Sequence, residues 1–504
     1  MNDASPPAES VAAVPSHRGL MQRALSLGAA NAFDYATQFL LPVVLVRFLD
    51  RVAFGNYRML WLAAGTALSF ATLAMPASLF YFLPRSDGPA RRLYINQTLA
   101  FLTLAGLICG WAVSAWNPWL PAQMSDLAQH DIVVPAFLVL WIAGSLLDLL
   151  PTIEERVAWQ ARATVLLATL RAGSISAAAV LTHSLNAVLV VLLFFVLCKV
   201  GLLLGYLARY HGLRGPLLRP RSFADQFRYA APFGIAGALY VLRVQADQWV
   251  GAMLFSLERF ASLSIAGILA PLVTLLRQSV NNAFLPSMSR LQACGDNATM
   301  LALNSRANVV VGALVFPLLA LVMAFAEDLV SLVYTNAYVD AAPILRVYAV
   351  GVVALVVELA TLSLLLRQGR FMVVLNLVLL GAAVACSWFG ARHVGLAGAA
   401  LGSVATIYVD RILTLRRISQ LTGTPLRRLQ DWGTLGLLMV FAALAAALAY
   451  GIVERFVAED GHLVRLAVGG ATLAAAYCAL CGVRALHQVR LRARQEGARR
   501  SAPT

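Results

Sequence analysis

Apolar stretches long enough to cross a bilayer recur along this chain, and that recurrence limits the fold more than any short motif does. A helix needs about twenty predominantly apolar residues to cross the hydrocarbon core. Read at that length, the sequence predicts about fourteen spanning helices. They fall at approximately 24–47, 57–82, 93–114, 132–150, 163–182, 186–208, 228–251, 259–286, 307–326, 343–366, 371–389, 395–415, 432–451 and 463–483. Composition agrees, with 60% hydrophobic residues and only 12% charged, where soluble domains carry about 25% charged. No soluble core could hide that much apolar surface. The expected fold is an all-α polytopic membrane protein, and soluble enzymes are excluded.

Charge placement predicts the topology. Lys and Arg number 39 against 24 Asp and Glu, a net charge of +15. Such a balance can signal nucleic-acid binding, but here the arginines sit in short connections beside apolar runs. Alternate connections are rich in Arg: 85, 91 and 92; then 156 and 162; then 209, 214, 219 and 221; and, after further alternations, 416, 417, 427 and 428. The intervening connections 115–131 and 327–342 carry Asp126, Asp131, Glu327, Asp328 and Asp340 and no base. A cytosolic N-terminus with both termini on one side satisfies these loops, and no nucleic-acid partner is expected. Residues 1–19 read as a disordered cytosolic tail, and 486–504 as a basic cytosolic tail. The connections are too short for a folded domain. No G-x-x-x-x-G-K-[ST] occurs, so the chain carries no ATPase of its own. Cys478-x-x-Cys481 lies inside a span without further ligands, and we expect no metal and no cofactor. A secondary transporter or channel remains.

Two segments echo each other. Phe54 and Phe260 open the second member of a helix pair, at an offset of 260 − 54 = 206, and Phe82-Leu83-Pro84 matches Phe284-Leu285-Pro286 near its close. The same regions resemble the multidrug/oligosaccharidyl-lipid/polysaccharide (MOP) exporter superfamily, and within it the bacterial polysaccharide flippases. Arg47-Phe48-Leu49 and Phe54-Gly55-Asn56-Tyr57 fit the family's turn into a long second span. LVYTNAYVDAAPILRVYA (332–349) is similar to its loop before span ten, and ADQWVGAMLFSLERF to its span-seven exit. At two points the chain departs from the pattern: ERFASLSIA lacks the Gly and Tyr usual at that turn, and Thr335-Asn336 replaces a usual Gly.

The resemblance implies two six-helix bundles around a central cavity, here 20–210 and 228–420, joined by a cytosolic linker at 211–227. Two additional helices would fill 421–485. It implies a flippase of the bacterial inner membrane, not an enzyme, that moves a polyprenyl-pyrophosphate-linked oligosaccharide by alternating access. The cargo would be an O-antigen, capsule or exopolysaccharide repeat unit. Partners would be the lipid-linked oligosaccharide, membrane lipids, and a polysaccharide polymerase and glycosyltransferases of the same pathway. A multidrug/cation antiporter or a lipid II flippase of the same fold is the alternative.

Polar residues inside spans are costly and mark function or pairing. Asn31, Asp34 and Gln38 form one helical stripe; Tyr240, Arg243 and Asp247 a second; Thr274, Arg277 and Asn281 a third. Either these stripes line a water-filled cavity, or Arg243 and Asp247 form an i,i+4 pair and the amides join helices. Arg277 has no partner on its own helix, which favours a cavity. The substrate-binding residues expected are therefore Asp34, Gln38, Arg243, Asp247, Arg277 and Asn281. Asp148, Arg171 and Lys199 are expected to neutralise one another, as are Glu358 and Arg411, while Arg47 and Arg58 would anchor at the interface.

Overall fold

The computed structural model describes residues 17–119, 124–212, 215–457 and 461–500, with side chains described for most residues between 25 and 485. Most of the expected N-terminal tail and the last four residues lie outside that set. The described part of the basic C-terminal tail, 486–500, continues the last helix.

The described residues form helices and no strand. The longer helices are α1 (His17–Phe48), α2 (Arg51–Thr72), α3 (Met75–Phe82), α4 (Gly88–Val113), α5 (Val133–Gly144), α6 (Val157–Thr182) and α7 (Leu185–Tyr210). They continue as α8 (Pro220–Val244), α9 (Ala246–Leu254), α10 (Leu257–Ala266), α11 (Leu269–Ala293) and α12 (Asn297–Tyr334). The series ends with α13 (Ala342–Leu355), α14 (Gly369–Val394), α15 (Leu396–Thr422), α16 (Trp432–Phe456) and α17 (His462–Arg500). Thirteen segments among the described residues are long and apolar enough to cross a membrane. The protein is an all-α polytopic membrane protein. The expected span at 228–251 is absent from the thirteen. It is helical, but it is interrupted at Gln245, and Arg228, Arg243 and Asp247 make it too polar.

Contacts divide the chain into two compact units. The first contains residues up to 45, 74–116 and 131–231; the second contains 46–73, 117–130 and 232–504. Residues 46–73 thus group with the second unit, although chain order alone would assign them to the first bundle.

In the first unit, α4 packs on α5, and α7 on both α5 and α6. A buried amide–hydroxyl cluster ties the unit together. Gln97 donates to Gln226 Oε1 (2.5 Å), whose own amide donates to Ser78 (2.8 Å) and Thr98 (2.9 Å). Each of the four side chains therefore finds a partner where water is absent, although Gln97 Oε1 is left without a donor.

In the second unit, α2 and α10 lie side by side, and the sequence echo becomes geometry. Asp50 caps α2 through Ala53 N–H (2.7 Å), and Phe54 and Phe260 are both fully buried. Arg58 grips Ser264, at the same offset of 206, through the hydroxyl (3.0 Å) and the carbonyl (3.1 Å). Gly55 allows the approach, since a Cβ there would collide with the Leu257 carbonyl. Arg58 is therefore a helix-to-helix clasp and not an interface anchor. Arg47 likewise donates to the Leu332 carbonyl (2.9 Å). The α14–α15 hairpin is closer still: Gly390 and Gly398 meet backbone to backbone, with no room for a side chain.

Candidate functional site

Several charged groups within the membrane-spanning part of the second unit lie around a break in a helix. The sequence predicts one span over 343–366, but the helix stops at Leu355 and resumes at Ala360. Non-helical backbone at membrane depth is tolerated only where other groups satisfy it. Asn304 on α12 donates to the Glu358 carbonyl (3.2 Å), and Asn308 Oδ1 accepts from Glu358 N–H (3.1 Å). The Glu358 carboxylate accepts from Ala360 N–H (2.8 Å) and Thr361 N–H (3.3 Å), capping the resumed helix.

Arg277 reaches this break from α11. Its Nε lies 2.9 Å from Glu358 Oε2, and its NH1 donates to the Leu355 carbonyl (3.0 Å). Arg411 and Tyr240 lie within electrostatic reach of it. Arg243, stacked over Tyr240 with its guanidinium carbon 5.5 Å from the ring centre, faces Asp410 on α15 at 3.6 Å. Three arginines therefore meet two carboxylates, leaving one excess positive charge. Arg411 has no carboxylate at ion-pair distance among the described residues, and its Nε is buried without an acceptor.

The structure redistributes the expected pairs. Arg243 and Asp247 are not partners: the helix is interrupted between them at Gln245, and Asp247 instead accepts from Tyr348 Oη (2.6 Å) and Gln248 N–H (2.8 Å). Glu358 pairs with Arg277 and not with Arg411. Asn281 is half-buried one turn beyond Arg277 on α11. Asp34 and Gln38 belong to the first unit. Gln38 donates to Asp34 Oδ2 (2.8 Å), and Asp34 Oδ1 binds Arg171 (2.8 Å). Arg171 is thus spent on Asp34, while Lys199 takes Asp148 (2.8 Å) over the face of Trp141. Asp410, Asn304 and Asn308 were missed by sequence reasoning. Their only signal was polarity inside apolar runs, with Asn304 and Asn308 four residues apart on one helix face.

An apolar groove opens beside the cluster. A cavity of about 570 Å³ lies among α12, α13 and α16, with Met323, Val350, Ala446 and Tyr450 in its wall and Arg346 on its rim. It shares Phe316, Val353 and Met439 with a second cavity of about 320 Å³, whose wall includes Arg411. One unit thus offers two adjoining apolar cavities, and a guanidinium, that of Arg411, lines the smaller of them.

Residues 44–343, more than half the chain, match the family described as "Polysaccharide biosynthesis protein". The chain belongs to that family. No curated protein matches it. Among solved structures, this polysaccharide biosynthesis protein is similar to the lipid II flippase MurJ in an inward closed conformation. The TM-score is 0.69 at 10% identity, covering 92% of this chain and 99% of that one. It is also similar to a multidrug resistance MATE family transporter of the MOP superfamily in an inward-facing conformation, with TM-score 0.60 and 13% identity over 76% and 94% of the two chains. A MATE protein in complex with MaL6 gives 0.55 and 15% over 80% and 97%. At these identities the likeness is one of fold: the family member has the MOP transporter fold.

Proposed function

We propose that this protein is a flippase, not an enzyme, for a polyprenyl-pyrophosphate-linked oligosaccharide of the O-antigen, capsule or exopolysaccharide kind, working by alternating access in the bacterial inner membrane. The observation that carries this reading is the excess cation of the Arg243–Arg277–Arg411 cluster beside an apolar groove. A lipid-linked pyrophosphate has the matching form, an anionic head on a long apolar tail. Guanidinium remains charged when desolvated and presents several donors to phosphate oxygens. Asp410 and Glu358 would hold two of the arginines when no cargo is present and keep binding reversible. Asp247 and Asn281, in the same unit, would shape the polar surroundings of the cluster without touching phosphate. Both termini would be cytosolic, with a polymerase and glycosyltransferases of the pathway as partners.

A multidrug/cation antiporter would need surplus acid, and the cluster has surplus base. A lipid II flippase shares the same head-and-tail chemistry, and the glycan exported decides between the two. Arg411 gives the direct test, because removing it strands no carboxylate. In a strain lacking the native protein, Arg411→Gln should reach the membrane at parental abundance and lose most glycan export. Full export by that variant overturns the proposal.

A further inference from the structure

A second arginine-lined cavity, of about 600 Å³, lies in the first unit, where four spans end together. One span begins at Gly88, one ends at Ile153, one begins at Val157 and one ends at Tyr210. The cavity therefore sits at the depth of lipid headgroups. Its wall includes Arg91, Arg92, Arg156, Glu154, Tyr210 and His211.

Three arginines and a single carboxylate line the cavity; Arg91 Nε donates to the Leu83 carbonyl (3.1 Å), and the carboxylate is already committed. Glu154 Oε1 lies 2.8 Å from His211 Nε2, and Tyr206 Oη donates to Oε2, from which Arg156 Nε is 4.0 Å away. Burial pushes the Glu154 carboxyl up, but the hydrogen bonds from His211 and Tyr206 and the nearby Arg156 charge outweigh it and hold the group below its ordinary value. Arg156 is stacked over Tyr210, 3.5 Å from the ring centre. Stacking holds the guanidinium while leaving its in-plane donors available. Arg92 lies close against Gly215, where a Cβ would come within 2.7 Å of its Nε. Among the described residues, its Nε and NH2 are buried and meet no acceptor. A buried donor without a partner is costly, so the arrangement calls for an anion. The N-termini of α4 and α6 reach the same cavity, and neither has a side-chain cap. Their free N–H groups add to the attraction.

We infer that this pocket binds a phosphate group presented by a lipid headgroup at the membrane surface. Basic pockets between spans take up anionic headgroups in this way. The site uses none of the second unit's charge pairs, so its failure would leave the transport reading untouched.

The test is native mass spectrometry of the full-length protein in non-ionic detergent, titrated with short-chain phosphatidic acid, short-chain phosphatidylcholine or inorganic phosphate. Phosphatidic acid should bind in preference to phosphatidylcholine. Arg92→Gln and Arg156→Gln should each weaken it about tenfold or more, the loss of one charge-assisted bond. Arg92→Lys should lose less, and Arg370→Gln, exposed in the first turn of α14, nothing. Competition by inorganic phosphate at similar concentration supports the site and shows that it reads phosphate alone; no competition shows that the lipid part is needed. Thermal midpoints without ligand establish that each variant is folded, and Arg156→Gln carries the test if Arg92→Gln is not. Equal binding of the two lipids, or phosphatidic acid binding that neither Gln variant weakens, overturns the inference.

Discussion

Removing Arg277 alone should damage the protein in a way that removing it together with Glu358 does not. The Glu358 side chain is 4% exposed and that of Arg277 14%, so Arg277→Met leaves a carboxylate in a low-dielectric site. Breaking a buried pair from one side costs about 3–5 kcal/mol. Glu358 keeps two backbone donors, Ala360 N–H and Thr361 N–H, which places the expected cost near the lower end, about 3 kcal/mol. A loss of that size lowers cellular abundance several-fold. Replacing both partners by apolar or neutral groups of similar volume is close to neutral. Arg277→Met with Glu358→Gln should therefore recover most of the abundance of a fluorescent fusion, measured in membranes beside both single variants. Export should remain absent in the double variant, because the cargo-binding cation is gone. A double variant no more abundant than Arg277→Met would refute the pairing argument. A double variant that exports normally would refute the cargo role of Arg277.

The Lys199–Asp148 pair should respond unequally, because the Lys199 side chain is 5% exposed and that of Asp148 56%. Asp148→Asn strands a buried ammonium and should lower the thermal midpoint in detergent, whereas Lys199→Met leaves a carboxylate at the protein surface and should lower it less. Gly55→Val places side-chain atoms on the Leu257 carbonyl and should separate α2 from α10, with a fall in abundance that Gly28→Val, where a Cβ meets nothing nearby, does not show. Glu154 is held below its ordinary value, so its stabilising contribution is present above about pH 4.3, the unfolded value, and is lost as pH falls through the lower folded value. Glu154→Gln should flatten that acid limb in a detergent unfolding series, and an unchanged limb would exclude the group as its source. A reporter active only outside the cytosol should work when fused after residue 125 and not after 215; the reverse pattern would invert the topology read from the arginines.

The all-helical spanning architecture was legible in the sequence because hydropathy is a local property: twenty apolar residues meet the bilayer's demand wherever they lie in the chain. The Phe54/Phe260 echo was legible for a similar reason, since the residues that open each helix are read from the local sequence. The polar stripes were also visible, and Arg243 and Arg277 do lie in one charged cluster. Which carboxylate each arginine takes was not visible, because i,i+4 spacing only proposes neighbours on a straight helix. The interruption at Gln245 removes that geometry between Arg243 and Asp247, and the partners that replace it come from α13, α15 and the break after Leu355. That break has no proline or glycine to announce it. It is stabilised by Asn304 and Asn308, which lie on α12 and meet it only once the helices pack. Tertiary structure decided the pairing because a buried charge takes the nearest group that can satisfy it, and nearness across helices is not a property of sequence spacing.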